Sequence, residues 1–184
     1  MFNQPITKIT KLQFNPQTTL LKDAKNLVCF DAQEAIPFWI WLWENPGSPI
    51  ALPGKISLDH HDCLHAILGV GVSLEDEAFL IGVTMGSDTD LQEWHLKLFK
   101  FVSRFLYPKK FRFRTQDFFV FDLGVELGRK LKIKNLNKID FALYENKTVA
   151  EVRDALGLNE ILLLLNSELT QPQQAHSLQQ FSFG

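Results

Sequence analysis

The stretch from Ser57 to Met85 constrains the fold more than any other. Ser57 suits an N-cap, because its hydroxyl can accept from a first-turn N–H, and a helix is expected from there to about Leu68. Gly69 and Gly71 then end that helix, since glycine accepts the left-handed backbone that closes one. Ser73-Leu-Glu-Asp76 starts another at once, with acidic residues in the first turn, where the helix dipole favours them. That second helix should continue to about Met85, with Gly86 as its stop. A glycine turn this short folds the second helix back on the first, so the spacing predicts an antiparallel helical hairpin.

Helix signals recur along most of the remaining chain. Leu20 to Phe30 reads as a helix, and Asp31 to Glu34 as a capping box disturbed by Pro37. Trp39, Trp41 and Trp43 alternate as in a short strand, and a loop follows at residues 45–54. Asp88 or Asp90 should cap a long helix from Leu91 to Leu106, closed by Pro108. Lys109 to Arg114 is a basic connector. Thr115 opens a helix from Asp117 to about Leu131 that carries Gly124 and Gly128 on one face. Each of those glycines costs up to about 1 kcal/mol against alanine, so a close neighbour or ligand is expected there. Thr148 to Glu151 is a further capping box, whose helix ends at Gly157. With little strand alternation, the pattern predicts an all-α, single-domain bundle of about six to eight helices over residues 1–167. The Gln-rich residues 168–184 read as a flexible tail. A chain of 184 residues can bury one core without staples.

Composition narrows the function classes. Two cysteines, Cys29 and Cys63, are too few for a disulfide framework and fit a reducing compartment. The N-terminus lacks the basic and apolar regions of a signal peptide. The longest aromatic-apolar run, Ala35 to Trp43, is far shorter than the roughly 20 residues a transmembrane helix needs. The net charge is −2, yet residues 97–138 carry 12 Lys/Arg against three Asp/Glu, and eight of the 16 Phe fall between Phe99 and Phe121. A basic, Phe-rich segment in an acidic protein suits a phosphate-bearing or membrane-surface partner, or a solvated helix face. The segment also invites a nucleic-acid reading, but no RNA-binding signature accompanies it, and none is expected.

The chemistry concentrates in Asp59-His60-His61-Asp62-Cys63-Leu64-His65 and Glu77. His61 and His65 are four residues apart, so on a helix both imidazoles share one face, the spacing used to grip a single metal ion. Asp62 borders that face. On one continuous helix Glu77 would lie about 18 Å beyond His65 and could not join them. The break at Gly69 and Gly71 changes this: a fold about residue 71 places Glu77 opposite His65. The expected ligand set is therefore His61, Asp62, His65 and Glu77. Mixed nitrogen and oxygen donors suit zinc first, another first-row divalent ion next, and magnesium if a substrate phosphate completes the shell. Rival metal signatures fit less well. Asp62 stands where a zinc protease needs Glu, no His precedes His60 as a His-Asp phosphohydrolase requires, and only one Asp-x-x-His exists where a di-iron bundle needs paired motifs.

His61-Asp62-x-x-His65 followed by eleven residues and Glu77 resembles the signature of the ubiquinone (coenzyme Q) biosynthesis protein Coq-four family. Gly128-Arg129-Lys130 and Val149-x-x-Val152-Arg153-x-x-Leu156-Gly157 are similar to that family's closing patterns, so the likeness covers roughly residues 55–158. It implies an all-helical fold, a divalent metal held by His61, Asp62, His65 and Glu77, and a bound polyisoprenoid lipid. It also implies work in quinone biosynthesis, cytoplasmic and peripheral at the inner membrane face. The implied activity is oxidative removal of the ring carboxylate from a prenylated hydroxybenzoate, with hydroxyl in its place. The alternative is a non-catalytic lipid carrier or scaffold, with other quinone-biosynthesis enzymes or a second copy of the chain as partners.

A prenyl-lipid site needs an apolar groove and a cationic or metallic end. Phe99, Phe105, Phe118, Phe119 and Phe121 are the candidate walls, with Gly124 and Gly128 allowing close approach to backbone. Arg104, Arg112, Arg114 and Arg129 are the candidates for a phosphate or anionic head group. Trp39, Trp41 and Trp43 are candidate interfacial anchors.

Overall fold

The computed structural model describes residues 9–28 and 52–170. Among these are seven α-helices and no strand: α1 (Leu21–Asn26), α2 (Leu58–Leu68), α3 (Leu74–Ser87), α4 (Glu93–Phe105), α5 (Thr115–Lys130), α6 (Val149–Ala155) and α7 (Asn159–Thr170). The fold is the all-α bundle expected. The Asp31–Glu34 box, the three alternating tryptophans and Cys29 lie outside the described residues. Among those described, no helix is long and apolar enough to cross a membrane.

The turn between α2 and α3 forms as its glycines dictate. Gly69 takes the left-handed conformation at φ 70°, and its N–H returns to the His65 carbonyl at 2.8 Å. Ser73 and Asp76 then close a reciprocal capping box on α3: the Asp76 N–H donates to Ser73 Oγ at 3.2 Å, and the Ser73 N–H donates to Asp76 Oδ2 at 2.9 Å. The buried Asp76 carboxylate also accepts from the Thr10 N–H at 2.8 Å and from the Thr10 hydroxyl. The N-terminal segment is thereby tied to the turn, where Lys11 and Val70 form an isolated bridge.

Four glycines set the closest helix contact. Gly82 and Gly86 of α3 lie against Gly124 and Gly128 of α5, in that order, so the two helices run in the same direction. A Cβ at Gly82 would collide with the Phe121 carbonyl oxygen, and one at Gly124 with the Phe79 carbonyl oxygen. Small residues four apart let backbones approach this closely. Two expectations are corrected here. Gly86 does not stop α3, which runs to Ser87, because Gly86 serves as a contact. The neighbour of Gly124 and Gly128 is a helix, and it occupies the space offered to a lipid.

Smaller corrections follow from local bonding. The first helix is short, ending at Asn26 rather than reaching Phe30. Neither Asp88 nor Asp90 caps α4. Gln92 holds that position, and its N–H donates to His95 Nδ1 at 3.0 Å. Asp88 is buried instead, accepting from the N–H groups of Gly54 and Asp90 at 2.8 and 3.0 Å and from the Asn137 amide at 3.1 Å. The last helix continues to Thr170, into the first residues of the expected tail.

Two apolar clusters result. The larger joins α1, α2, α3, α5, α6 and α7 through residues such as Leu21, Leu64, Phe79, Leu127 and Val152. The smaller lies between α3, α4 and α5 and holds Met85, Phe99, Phe113 and Phe121, with Phe99 and Phe121 stacked at 4.9 Å between ring centres. Burying a Phe is worth about 1.5–3 kcal/mol, which gives Phe79, Phe99, Phe113, Phe121 and Phe141 an ordinary packing role.

Candidate metal centre

His61 and His65 sit one turn apart on α2, and the turn at Gly69 to Ser73 brings the first turn of α3 against them. Glu77 reaches both. His61 Nε2 lies 3.0 Å from Glu77 Oε2, and His65 Nε2 lies 3.1 Å from Glu77 Oε1. The two imidazole rings are edge to face at 4.6 Å. One donor atom from each of the three residues falls within 4.8 Å of the others, so the group could hold a metal ion. A tetrahedral ion with bonds of about 2.1 Å separates its ligands by roughly 3.4 Å, close to the observed N···O spacing.

The inner side of the site is closed to solvent. The His65 side chain is fully buried, while those of His61 and Glu77 are 16% and 19% exposed. His65 Nδ1 lies 3.4 Å from the Val70 carbonyl oxygen, and a ring N–H donating there directs Nε2 toward Glu77 with its lone pair forward. Lone pairs on nitrogen and carboxylate oxygen repel, so a proton or a cation must occupy the space between them. Burial alone would lower the pKa of His61, but the Glu77 carboxylate and then Asp62 outweigh it and hold the imidazole well above the usual histidine range. In turn burial would raise the pKa of Glu77, but the His61 imidazolium and its hydrogen bond outweigh that and hold the carboxyl below the usual carboxylate range. A site that stabilises positive charge so strongly is chemically suited to a divalent cation in place of protons.

Of the four expected ligands the structure unites three. Asp62 stands apart from the converging atoms: its Oδ1 lies 3.6 Å from His61 Nδ1, on the far side of the ring from Glu77. Successive helix positions point about 100° apart, which turns Asp62 away and leaves it to orient the imidazole. His60 packs edge-on against Phe141 at 5.5 Å. Cys63 is buried, and burial pushes its thiol up to about 12, so it is an inert core group.

A cavity of about 30 Å³ opens against His61. Its walls are the Leu52–Ile56 segment, Leu80, Ile81, Thr84 and Met85 of α3, and Phe99 of α4. Of the proposed lipid walls, Phe99 alone lines it. Phe121 is fully buried behind Phe99, Phe118 packs against the smaller cluster, and Phe105 and Phe119 point outward at 55% and 68% exposure. The four arginines do not line it either. Arg112 donates to the Tyr107 and Phe105 carbonyls, Arg114 pairs with Glu75 and Asp117, Arg129 pairs with Glu93, and the exposed Arg104 lies over the Phe105 ring at 5.7 Å. The residues overlooked were Leu80, Ile81, Thr84 and Met85. They stand three, four, seven and eight positions after Glu77, the helical spacing that continues its face along α3. No protein-family model, curated protein or solved structure matches the chain.

Proposed function

We propose that this chain binds a divalent metal ion through His61, His65 and Glu77, and that the ion engages the polar head of a polyisoprenoid lipid whose apolar part enters beside His61. One observation carries the reading: two imidazoles and a carboxylate from different helices converge on one point, and an apolar cavity adjoins that point. The ion would supply Lewis-acid polarisation of a head-group carboxylate or phenolate. His65, locked by the Val70 carbonyl, would fix the ligand geometry, and Asp62 would keep the His61 ring in register. Leu80, Ile81, Met85 and Phe99 would exclude water from the apolar side. The cavity has room for about one small group, so a longer chain requires the Leu52–Ile56 segment to shift outward. Within the likeness set out above, the corresponding activity is oxidative decarboxylation and hydroxylation of a prenylated hydroxybenzoate in quinone biosynthesis.

The carrier reading draws on the cavity itself. Among the described residues its walls offer only His61 and Lys55 as ionisable groups, few for proton transfer on a ring. Metal analysis of the full chain with His61→Ala and Glu77→Gln variants tests the common element of both readings. Stoichiometric metal in the parent and its loss in both variants is the expected result. Unchanged metal content in both variants overturns it. Native mass spectrometry then reports whether isoprenoid is bound, and turnover of a prenylated hydroxybenzoate with metal and oxygen supplied separates enzyme from carrier.

A further inference from the structure

Helix α4 is apolar on two sides. Leu96, Phe99 and Val102 face the core. On the opposite side Trp94, Phe101 and Phe105 are 54%, 54% and 55% exposed, and Leu106 just past the helix is 49% exposed. At about 100° per residue Phe101 lies about 20° from Trp94, and Phe105 about 40° from Phe101, so the three form one stripe. The Phe101 and Phe105 rings touch at 5.3 Å between centres. Large exposed aromatics in line along a helix call for a covering surface.

Charge identifies the surface. Residues 94–116 contain seven Lys/Arg and no Asp/Glu, in a chain whose net charge is −2. Lys97 and Arg104 flank the stripe on one side, and Lys109 and Lys110 follow its end, all four exposed. The nearest acids in sequence are already paired: Glu93 with Arg129, Asp117 with Arg114, and Asp122 with Lys100. An amphipathic helix with aromatic residues on its outer face and cations at its margins matches the layering of an anionic bilayer, where rings sit at head-group level and cations reach the phosphates.

We propose that the outer face of α4, through Trp94, Phe101 and Phe105 with Lys97, Arg104, Lys109 and Lys110, docks the protein on an anionic lipid bilayer. The same helix carries Phe99 on its inner side, where it lines the cavity beside His61. Docking would set that cavity about one helix diameter, roughly 10 Å, from the lipid. The surface stands on exposure and charge, independently of the metal.

Flotation of the full chain with vesicles tests it. The parent should bind vesicles of phosphatidylcholine mixed with phosphatidylglycerol, bind phosphatidylcholine alone far less, and lose binding as salt rises. The double variant Phe101→Ser with Phe105→Ser alters only exposed positions and should keep its helical circular dichroism while binding about tenfold or more weaker. Arg104→Glu and Lys109→Glu should each weaken binding to the anionic vesicles by about fivefold or more. A parent that does not bind the anionic vesicles, or a double variant that binds like the parent, overturns the proposal. So does a parent dimer in sedimentation velocity that becomes monomeric in the double variant without any vesicle binding, because the stripe would then be an interface between copies.

Discussion

At the scale of single residues, the acid that matters beside Glu77 is its neighbour. Asp76 is fully buried and its carboxylate accepts three bonds, one from the Ser73 N–H that closes the α3 cap and two from the N–H and hydroxyl of Thr10. It fixes where α3 begins, and hence where Glu77 emerges. Asp76→Asn replaces an accepting oxygen with a donor that faces other donors. The expected result is a loss of about 1–3 kcal/mol in urea unfolding, with weaker zinc binding by calorimetry although no ligand is touched. Unchanged affinity would separate the cap from the site. Asp88 carries a different prediction. Burial raises its pKa, but the Asp90 and Gly54 N–H groups, the Lys138 ammonium and the Asn137 amide outweigh that and hold it below the usual aspartate range. A depressed folded pKa contributes stability above the unfolded pKa of about 3.9, and that contribution fades as pH falls through the folded value. Asp88→Asn should therefore cost about 1–2 kcal/mol near neutral pH, and the gap from the parent should close below about pH 4 in pH-dependent denaturation.

At the scale of elements, the α3–α5 contact shows what pattern reading recovers and what it misses. Helix starts were legible where a side chain caps locally: Ser73 with Asp76, and Thr148 with Glu151, form as spaced. Gly69 ended α2 because it takes the left-handed backbone. Gly86 looked the same in sequence and did something else, since its partner Val125 lies 39 residues away and only tertiary packing joins them. The ligands His61, His65 and Glu77 were legible because helical spacing and one turn decide their placement. The cavity was not, because a loop at residues 52–56 supplies about half its wall, and no helical spacing places a loop against α3. Gly82→Ala or Gly124→Ala would push a methyl into a facing carbonyl oxygen. Either should destabilise by about 3 kcal/mol in chemical denaturation, far more than the small gain expected for Gly→Ala on an open helix face. A neutral or stabilising effect would show that the two backbones do not touch.

At the scale of the whole molecule, the metal triad bridges two helices of one core whose main packing partners differ. His61 and His65 belong to α2, which packs with α1 and α6, while Glu77 belongs to α3, whose close partner is α5. An ion held by all three residues would cross-link those two helices, and the unfolded chain holds no such site, so its binding energy becomes folding energy. Zinc at 100 times its dissociation constant should add about 2.7 kcal/mol, which for a chain of this size is a rise of about 5–10 °C in Tm. The rise should vanish in Glu77→Gln, and a chelator should reverse it in the parent. The alternative arrangement is an ion pair in which protons fill the gaps between the histidines and Glu77. In that case zinc leaves Tm unchanged, Glu77→Gln still destabilises the fold because a buried imidazolium loses its counter-charge, and calorimetry with zinc is silent. Both arrangements make Glu77 important to stability, so the mutation alone cannot separate them. The difference in Tm between zinc and chelator, measured in the parent and in Glu77→Gln, can, because only a bound ion makes that difference depend on the carboxylate.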